Sequence, residues 1–210
     1  MFVKAFPSGP FQTNCYLIGC PETQKAVIVD PAPDVLPSLR SEIQLHPYEI
    51  VAIWLTHSHW DHIGDLAKVK ALWPVPVAVH PLDEGNVKNP GSDGLPCWIS
   101  IDGVVPDHHF FEGEMLRVGN LNFRVIHTPG HTPGGVCLYC EKEKVLISGD
   151  TLFKGSIGNL SFPTSCAEDM WKSLSKLEML PKDTQVFPGH GGSTHLSQES
   201  WLKNAKNIFG

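Results

Sequence analysis

Long apolar runs are missing from this 210-residue chain. None approaches the roughly 18 consecutive apolar residues of a membrane-spanning helix, so no membrane partner is expected. Charge of one sign is nowhere concentrated: 16 Lys and Arg stand against 22 Asp and Glu, for a net charge of -6. A protein that grips a nucleic-acid backbone usually carries a basic stripe; none is visible, and no nucleic-acid partner is expected. Cysteine is too sparse for a disulfide scaffold, with 6 in the chain, and the expectation is a reduced, cytoplasmic protein. The amino terminus, MFVKAFPSGPFQTN, has no apolar core and meets Pro7 and Pro10, which does not read as a secretory signal. Protein nucleophiles are absent in recognisable form: there is no G-x-S-x-G elbow, and no cysteine has a catalytic-looking context.

What is present is a large apolar fraction, 41%, enough for one domain over residues 1–210. Asn14 to Ile18, Ala26 to Val29, Val51 to Leu55 and Val75 to Val79 read as strands. A helix is expected from Val35 to about Gln44, and another from about Gly64 to Trp73, ended by Pro74. Residues 83–107 are rich in Gly, Pro, Asp and Asn and read as an irregular loop, which at that length is often functional. The second half is more β, with strands at Met115–Val118, Leu121–Ile126, Val136–Tyr139, Val145–Ile147 and Val186–Phe187. Ser165-Cys166-Ala167-Glu168 has the form of a capping box before a helix that ends near Pro181, and a short helix is expected around Gln198 to Asn207. The class is α/β.

The chain also holds 11 histidines, and their placement carries the chemistry. LTHSHWDHIGD, residues 55–65, follows an apolar strand. In extended chain residues two apart point the same way, so His57 and His59 can converge, while Asp61 and His62 turn elsewhere after a bend. Four ligand-type side chains in six residues exceed what one open tetrahedral site can use, and the spacing hints at two ions. Three further strand-end loops each present one ligand-type residue beside glycine: His131 in PGHTPGG, Asp150 in SGDT and His190 in PGHGG. Asp30 and Asp65 could orient ligating imidazoles or serve as caps. Trp60 could wall the site or pack outward, His127 reads as structural or as a support behind a ligand, and His195 reads as solvated, with the rim as its other place. His108 and His109 read as solvated, and Cys137 and Cys140, three apart on a strand, face opposite sides and read as packing.

T-H-S-H-W-D-H (56–62), P-G-H-T-P-G (129–134), G-D-T (149–151) and P-G-H-G (188–191), in that order, resemble the metallo-β-lactamase superfamily. That resemblance implies an αββα sandwich of two mixed sheets flanked by helices, with metal at one edge. It implies His57, His59 and His131 on a first ion, Asp61, His62 and His190 on a second, and Asp150 bridging the two. The two carboxylates, Asp61 and Asp150, are expected to take part in catalysis, Asp150 as bridge and orienter. Two divalent ions, zinc first and iron or manganese as alternatives, would share a water acidified from a pKa of about 15.7 towards neutrality.

G-P-F-Q-T-N-C-Y (9–16), V-D-P (29–31), H-T-P-G-H-T-P-G (127–134) and G-D-T-L-F (149–153), with Gly155-Ser156-Ile157-Gly158, look most like the short bacterial hydroxyacylglutathione hydrolases, or glyoxalase II enzymes. The resemblance implies hydrolysis of a small-molecule acyl thioester such as S-lactoylglutathione by a metal-bridging hydroxide. The chain departs from it twice. Only 20 residues follow His190, where full-length relatives carry a helical extension that supplies residues for glutathione. Asn159-Leu160-Ser161 stands where the short relatives continue with an arginine and an acidic residue, so the positive partner for a substrate carboxylate is missing. The alternatives are a mononuclear iron persulfide dioxygenase, which usually reads P-A-H-D-Y in place of P-G-H-G, a lactonase or β-lactamase, and a catalytically silent metal-binding protein.

Overall fold

Several strands are apolar on both faces, and since neighbouring side chains of a strand point opposite ways, each such strand must be covered twice. The computed structural model, which describes residues 1–210, meets this requirement with two facing six-stranded sheets. The first takes β1 (Phe2–Ser8), β2 (Thr13–Cys20), β3 (Lys25–Val29), β4 (Glu49–Trp54), β5 (Val77–Val79) and β6 (His108–His109), in that spatial order. The second takes β7 (Met115–Val118), β8 (Leu121–His127), β9 (Val136–Cys140), β10 (Val145–Gly149), β11 (Gln185–Pro188) and β12 (Thr194–His195), likewise in order. Each sheet therefore uses one contiguous half of the chain. Both are mixed: β3 to β6 run parallel and so do β10 and β11, while the other pairings are antiparallel.

The helices are α1 (Leu36–Leu45), α2 (Trp60–Ile63), α3 (Leu66–Leu72), α4 (Glu84–Lys88), α5 (Ala167–Glu178) and α6 (Ala205–Phe209). Alternate side chains of the strands divide among three cores. Ile18, Val27, Phe123, Val125 and Ile147 meet between the sheets. Their neighbours Leu17, Ile28 and Ile53 face outward onto Leu39 of α1 and Leu66 and Val69 of α3. Ile126 and Leu146 face the other way onto Met170, Leu174 and Leu177 of α5, which recur at helical spacing. Each such Leu, fully removed from water, contributes roughly 1.5–3 kcal/mol. The result is the αββα sandwich that the motifs implied. No helix is long and apolar enough to cross a membrane.

Local readings needed correction. Trp60–Ile63 is a separate helical turn, so the second half of the histidine-rich stretch is helical, and the next helix starts at Leu66. The segment 83–107 is not wholly irregular, because α4 occupies Glu84–Lys88. Cys166, not Ser165, is the N-cap of α5, and no side chain caps it. The Ser165 hydroxyl instead donates to the His131 carbonyl at 2.8 Å. The carboxy-terminal helix breaks into short turns and α6. His108 and His109 form β6 and pair with Glu114 and Glu84, so they are not simply solvated. Cys137 lies in the core under α5 and Cys140 in the core between the sheets, which fits packing roles.

Candidate metal centre

Parallel strands end on the same edge of their sheet, and residues just past those ends can meet in the crevice outside it. Asp30 follows β3, the 55–59 stretch follows β4, Asp150 follows β10 and His190 follows β11. The two sheets are tied together at this edge. The Asn14 amide donates to the Gly189 carbonyl at 2.7 Å, the Tyr16 hydroxyl to the Pro188 carbonyl at 2.6 Å, and the Val136 amide to the Thr56 carbonyl at 2.9 Å.

All seven residues predicted from the sequence converge there. His57, His59 and His131 form one group whose ligand atoms lie within 4.8 Å of one another, and Asp61, His62 and His190 form a second. In the second, His190 Nε2 lies 3.2 Å from Asp61 Oδ2 and 3.3 Å from His62 Nε2. Asp150 stands between the groups. Its Oδ2 is 3.4 Å from His131 Nε2 and 3.5 Å from His190 Nε2, and its Oδ1 is 3.4 Å from His62 Nε2. The Nε2 atoms of His57, His59 and His131 and Oδ1 of Asp150 are buried without a hydrogen-bond partner. Buried polar atoms are ordinarily satisfied, so three orphan imidazole nitrogens in one group, with an orphan carboxylate oxygen between the groups, mark the place of a ligand. Imidazole nitrogens and carboxylate oxygens together suit a borderline divalent ion.

The other ring nitrogens are held from behind. The Asn159 carbonyl lies 2.8 Å from His131 Nδ1 and the Phe11 carbonyl 3.2 Å from His190 Nδ1. A carbonyl can only accept, so these contacts put the proton on Nδ1 and turn the Nε2 lone pair to the site. Thr56 donates its hydroxyl proton to Asp30 at 2.6 Å, which leaves its oxygen to accept from His57 Nδ1 at 3.1 Å. Asp30 also lies 3.0 Å from His62 Nδ1. Asp30, His57 and His62 also lie close enough together to hold an ion, but the Asp30 oxygens are committed to Thr56 and His62, so we read it as a positioning group. Asp65 is not one: it accepts from the Leu36 amide and pairs with Lys68.

The electrostatics divide the same way. Burial, with the neighbouring histidines, holds His57 well below the usual imidazole range and takes His59 down to about 3. Both are neutral, as ligation requires. Burial also opposes charge on His62 and His190, but Asp61 and Asp150 outweigh it, raising His62 well above its ordinary value and His190 to about 9. The carboxylates there hold protons where a metal cation would replace them.

Sequence reasoning missed two contributors. Asp83, buried, accepts from the Ser58 amide at 2.9 Å and the Gly134 amide at 2.6 Å, joining the loop of His57 and His59 to that of His131. Thr13 donates to Asp61 Oδ2 at 2.8 Å; its only signal was its place in G-P-F-Q-T-N-C-Y. His195 does not reach the rim, since it pairs with Gln185 at the far end of β11 from His190. His127 is structural: its ring stacks on His80 at 4.0 Å, and its Nε2 lies 2.9 Å from the Pro133 carbonyl. Trp60 is 4% exposed and walls a cavity of about 450 Å³ that opens onto the site.

This fold and this gathering of His and Asp define a known class. The chain belongs to the metallo-beta-lactamase superfamily, whose pattern matches residues 8–190. An uncharacterised protein of Aquifex aeolicus is 38% identical over 95% of this chain and 94% of its own. The hydroxyacylglutathione hydrolase GloC of Haemophilus influenzae is 34% identical, with 95% of each chain covered. Among solved structures, the BLEG-1 B3 metallo-beta-lactamase superposes with a TM-score of 0.89 at 33% identity, covering both chains fully. TTHA1623 in a di-iron-bound form superposes with a TM-score of 0.83 at 35% identity, covering 94% of this chain and 97% of its own.

Proposed function

We propose that the protein is a metal-dependent hydrolase that cleaves acyl thioesters at a site for two divalent ions. The observation that carries this reading is Asp150, whose carboxylate faces His131 of one ligand group and His62 and His190 of the other. His57, His59 and His131 would hold the first ion, Asp61, His62 and His190 the second, and Asp150 would serve both. The buried orphan atoms fit such ions. When bound, the pair supplies Lewis acidity and a water acidified towards neutral pH. The protein's part is to fix the donors. Thr13 aims Asp61, Asp30 aims His62, and the Asn159 and Phe11 carbonyls fix the tautomers of His131 and His190. Hydrolysis breaks the carbon–sulfur bond, forms a carbon–oxygen bond from water, and leaves water's other proton on the thiol.

Thioesters are proposed over lactams and lactones because of the G-D-T-L-F and G-S-I-G blocks and the likeness to GloC. The di-iron-bound relative supports a pair of ions; we propose zinc first, with iron or manganese as alternatives that the mixed nitrogen and oxygen donor set also accepts. The substrate is a free small molecule in the cytoplasm, with no nucleic-acid or membrane partner. A one-ion dioxygenase usually reads P-A-H-D-Y where this chain has Pro188-Gly189-His190-Gly191, so Gly189 and Gly191 count against that reading. The test is thiol release by zinc-loaded protein from S-lactoylglutathione and from acyl thioesters of N-acetylcysteamine. Release that a chelator abolishes is expected; an intact, loaded protein that releases no thiol from any of them overturns the reading.

A further inference from the structure

We infer that the thioesters taken here carry an apolar, aryl-sized acyl group on an uncharged thiol, seated on Phe11, Trp60 and Trp98. The inference rests on the thioester reading and adds the substrate class. The cavity over the ligands, about 450 Å³, has Phe11, Trp60, Leu95, Phe153 and Phe162 as its apolar wall, and no Lys or Arg lines it. Phe162 sets its ring 5.4 Å from that of His59 and 5.6 Å from that of His131, while Phe153 lies 5.9 Å from His190. The approach to the ligating imidazoles is therefore aromatic.

At the mouth three rings meet. Phe11 lies 5.3 Å from Trp60, and Trp98 lies 5.8 Å from Phe11 and 5.7 Å from Trp60, at tilted or edge-on angles. Trp60 is held down between the ligands His59 and Asp61, but Phe11 remains 47% and Trp98 70% exposed. Two large aromatics left in water beside a cavity form an apolar surface without a partner. An aryl group of a substrate covers them at favourable ring geometry.

A glutathione carrier would bring two carboxylates and an ammonium group into this lining. Carboxylates withdrawn from water need a cationic or hydrogen-bonding partner. The one amide side chain in the lining, Asn159, accepts from the Ser161 amide through Oδ1 at 2.8 Å, which leaves its Nδ2 as a single uncharged donor for two carboxylates. The nearest cation along the chain from Phe153, Lys154, is exposed outside the lining. An uncharged carrier meets no such cost.

Two measurements test this. Zinc-loaded protein is titrated with S-benzyl-N-acetylcysteamine, a thioether it cannot hydrolyse, and separately with S-methylglutathione, following tryptophan fluorescence. We expect saturation by the benzyl compound at a concentration lower by about tenfold or more, a preference lost in Trp98→Ala and kept in Trp98→Phe. In turnover, kcat/KM for phenylacetyl over acetyl, both on N-acetylcysteamine, is expected to be about tenfold and to fall towards one in Trp98→Ala. Equal or tighter binding of the glutathione compound, or equal kcat/KM for the two acyl groups in the unmodified protein, overturns the inference. Saturable benzyl binding without thiol release from any thioester supports the aromatic seat and overturns the thioester reading alone.

Discussion

His62 Nδ1 lies 3.0 Å from Asp30 Oδ2, so the ring is fixed with Nε2 facing Asp61, Asp150 and His190. Asp30 holds a left-handed backbone conformation, φ 51°, which Asn also tolerates. Asp30→Asn should therefore fold while losing one acceptor oxygen. Its affinity for the second ion is expected to fall by about 10–100-fold, as loss of an orienting carboxylate typically causes. Dialysis against graded chelator with metal analysis reads this, and unchanged retention of both ions contradicts the role given to Asp30.

Asp83 binds two buried amides from separate ligand loops. Asp83→Ala leaves both unpaired, and at roughly 1–3 kcal/mol for each unsatisfied group the loss of stability should be about 2–6 kcal/mol. Asp83→Asn keeps one acceptor and should lose less. Urea unfolding of the metal-free protein gives the values; a loss under about 1 kcal/mol in Asp83→Ala would show that the loops are held by other means.

Gly189 is closely framed. A Cβ there would stand 2.1 Å from Asp150 Oδ1 and 2.7 Å from His62 Cε1, whereas one on Gly192 meets nothing within 4 Å. Gly189→Ala should displace two ligands and lower thiol release by roughly 100-fold, with metal retention reduced. Gly192→Ala is the control and should match the unmodified protein.

His80 supplies a pH dependence away from the ligands. Burial, with His127 and His109, takes its ring down to about 4 from an ordinary 6.5. The unfolded chain therefore binds more protons than the folded one between pH 6.5 and 4, and stability falls as pH is lowered through that window. Urea midpoints of metal-free protein should drop from pH 6.5 to 4, and His80→Gln should flatten that limb. An equally steep limb in the variant would remove His80 from the account.

Much of this was legible in the sequence because its signals are local. Apolar runs mark the strands, the cluster of His57, His59, Asp61 and His62 marks four of the converging positions, and ligand-type residues beside glycine at strand ends mark the other three. Where tertiary contacts decide, local pattern failed. Asp83 lies 51 residues from its partner Gly134, and nothing around it in the chain announces the bond. Ser165 matches a capping box, yet its hydroxyl is drawn to the His131 carbonyl, and Cys166 takes the cap position uncapped. The sequence places Asp61 and His62 after a bend, and packing of Trp60 and Ile63 into buried sites makes that stretch a helical turn. His195 is exposed, as its reading as solvated has it, but the return strand β12 carries it back along β11, away from the rim.

The central claim is a divided site in which two ions serve one reaction. Metal-free protein is titrated with zinc while thiol release from an acyl N-acetylcysteamine thioester is followed, for the unmodified chain, His190→Ala and Asp150→Ala. The account predicts that activity rises until two equivalents are bound, that His190→Ala retains chiefly the first ion, and that Asp150→Ala loses both. Full activity at one equivalent, or selective loss of the first ion in either variant, would contradict it.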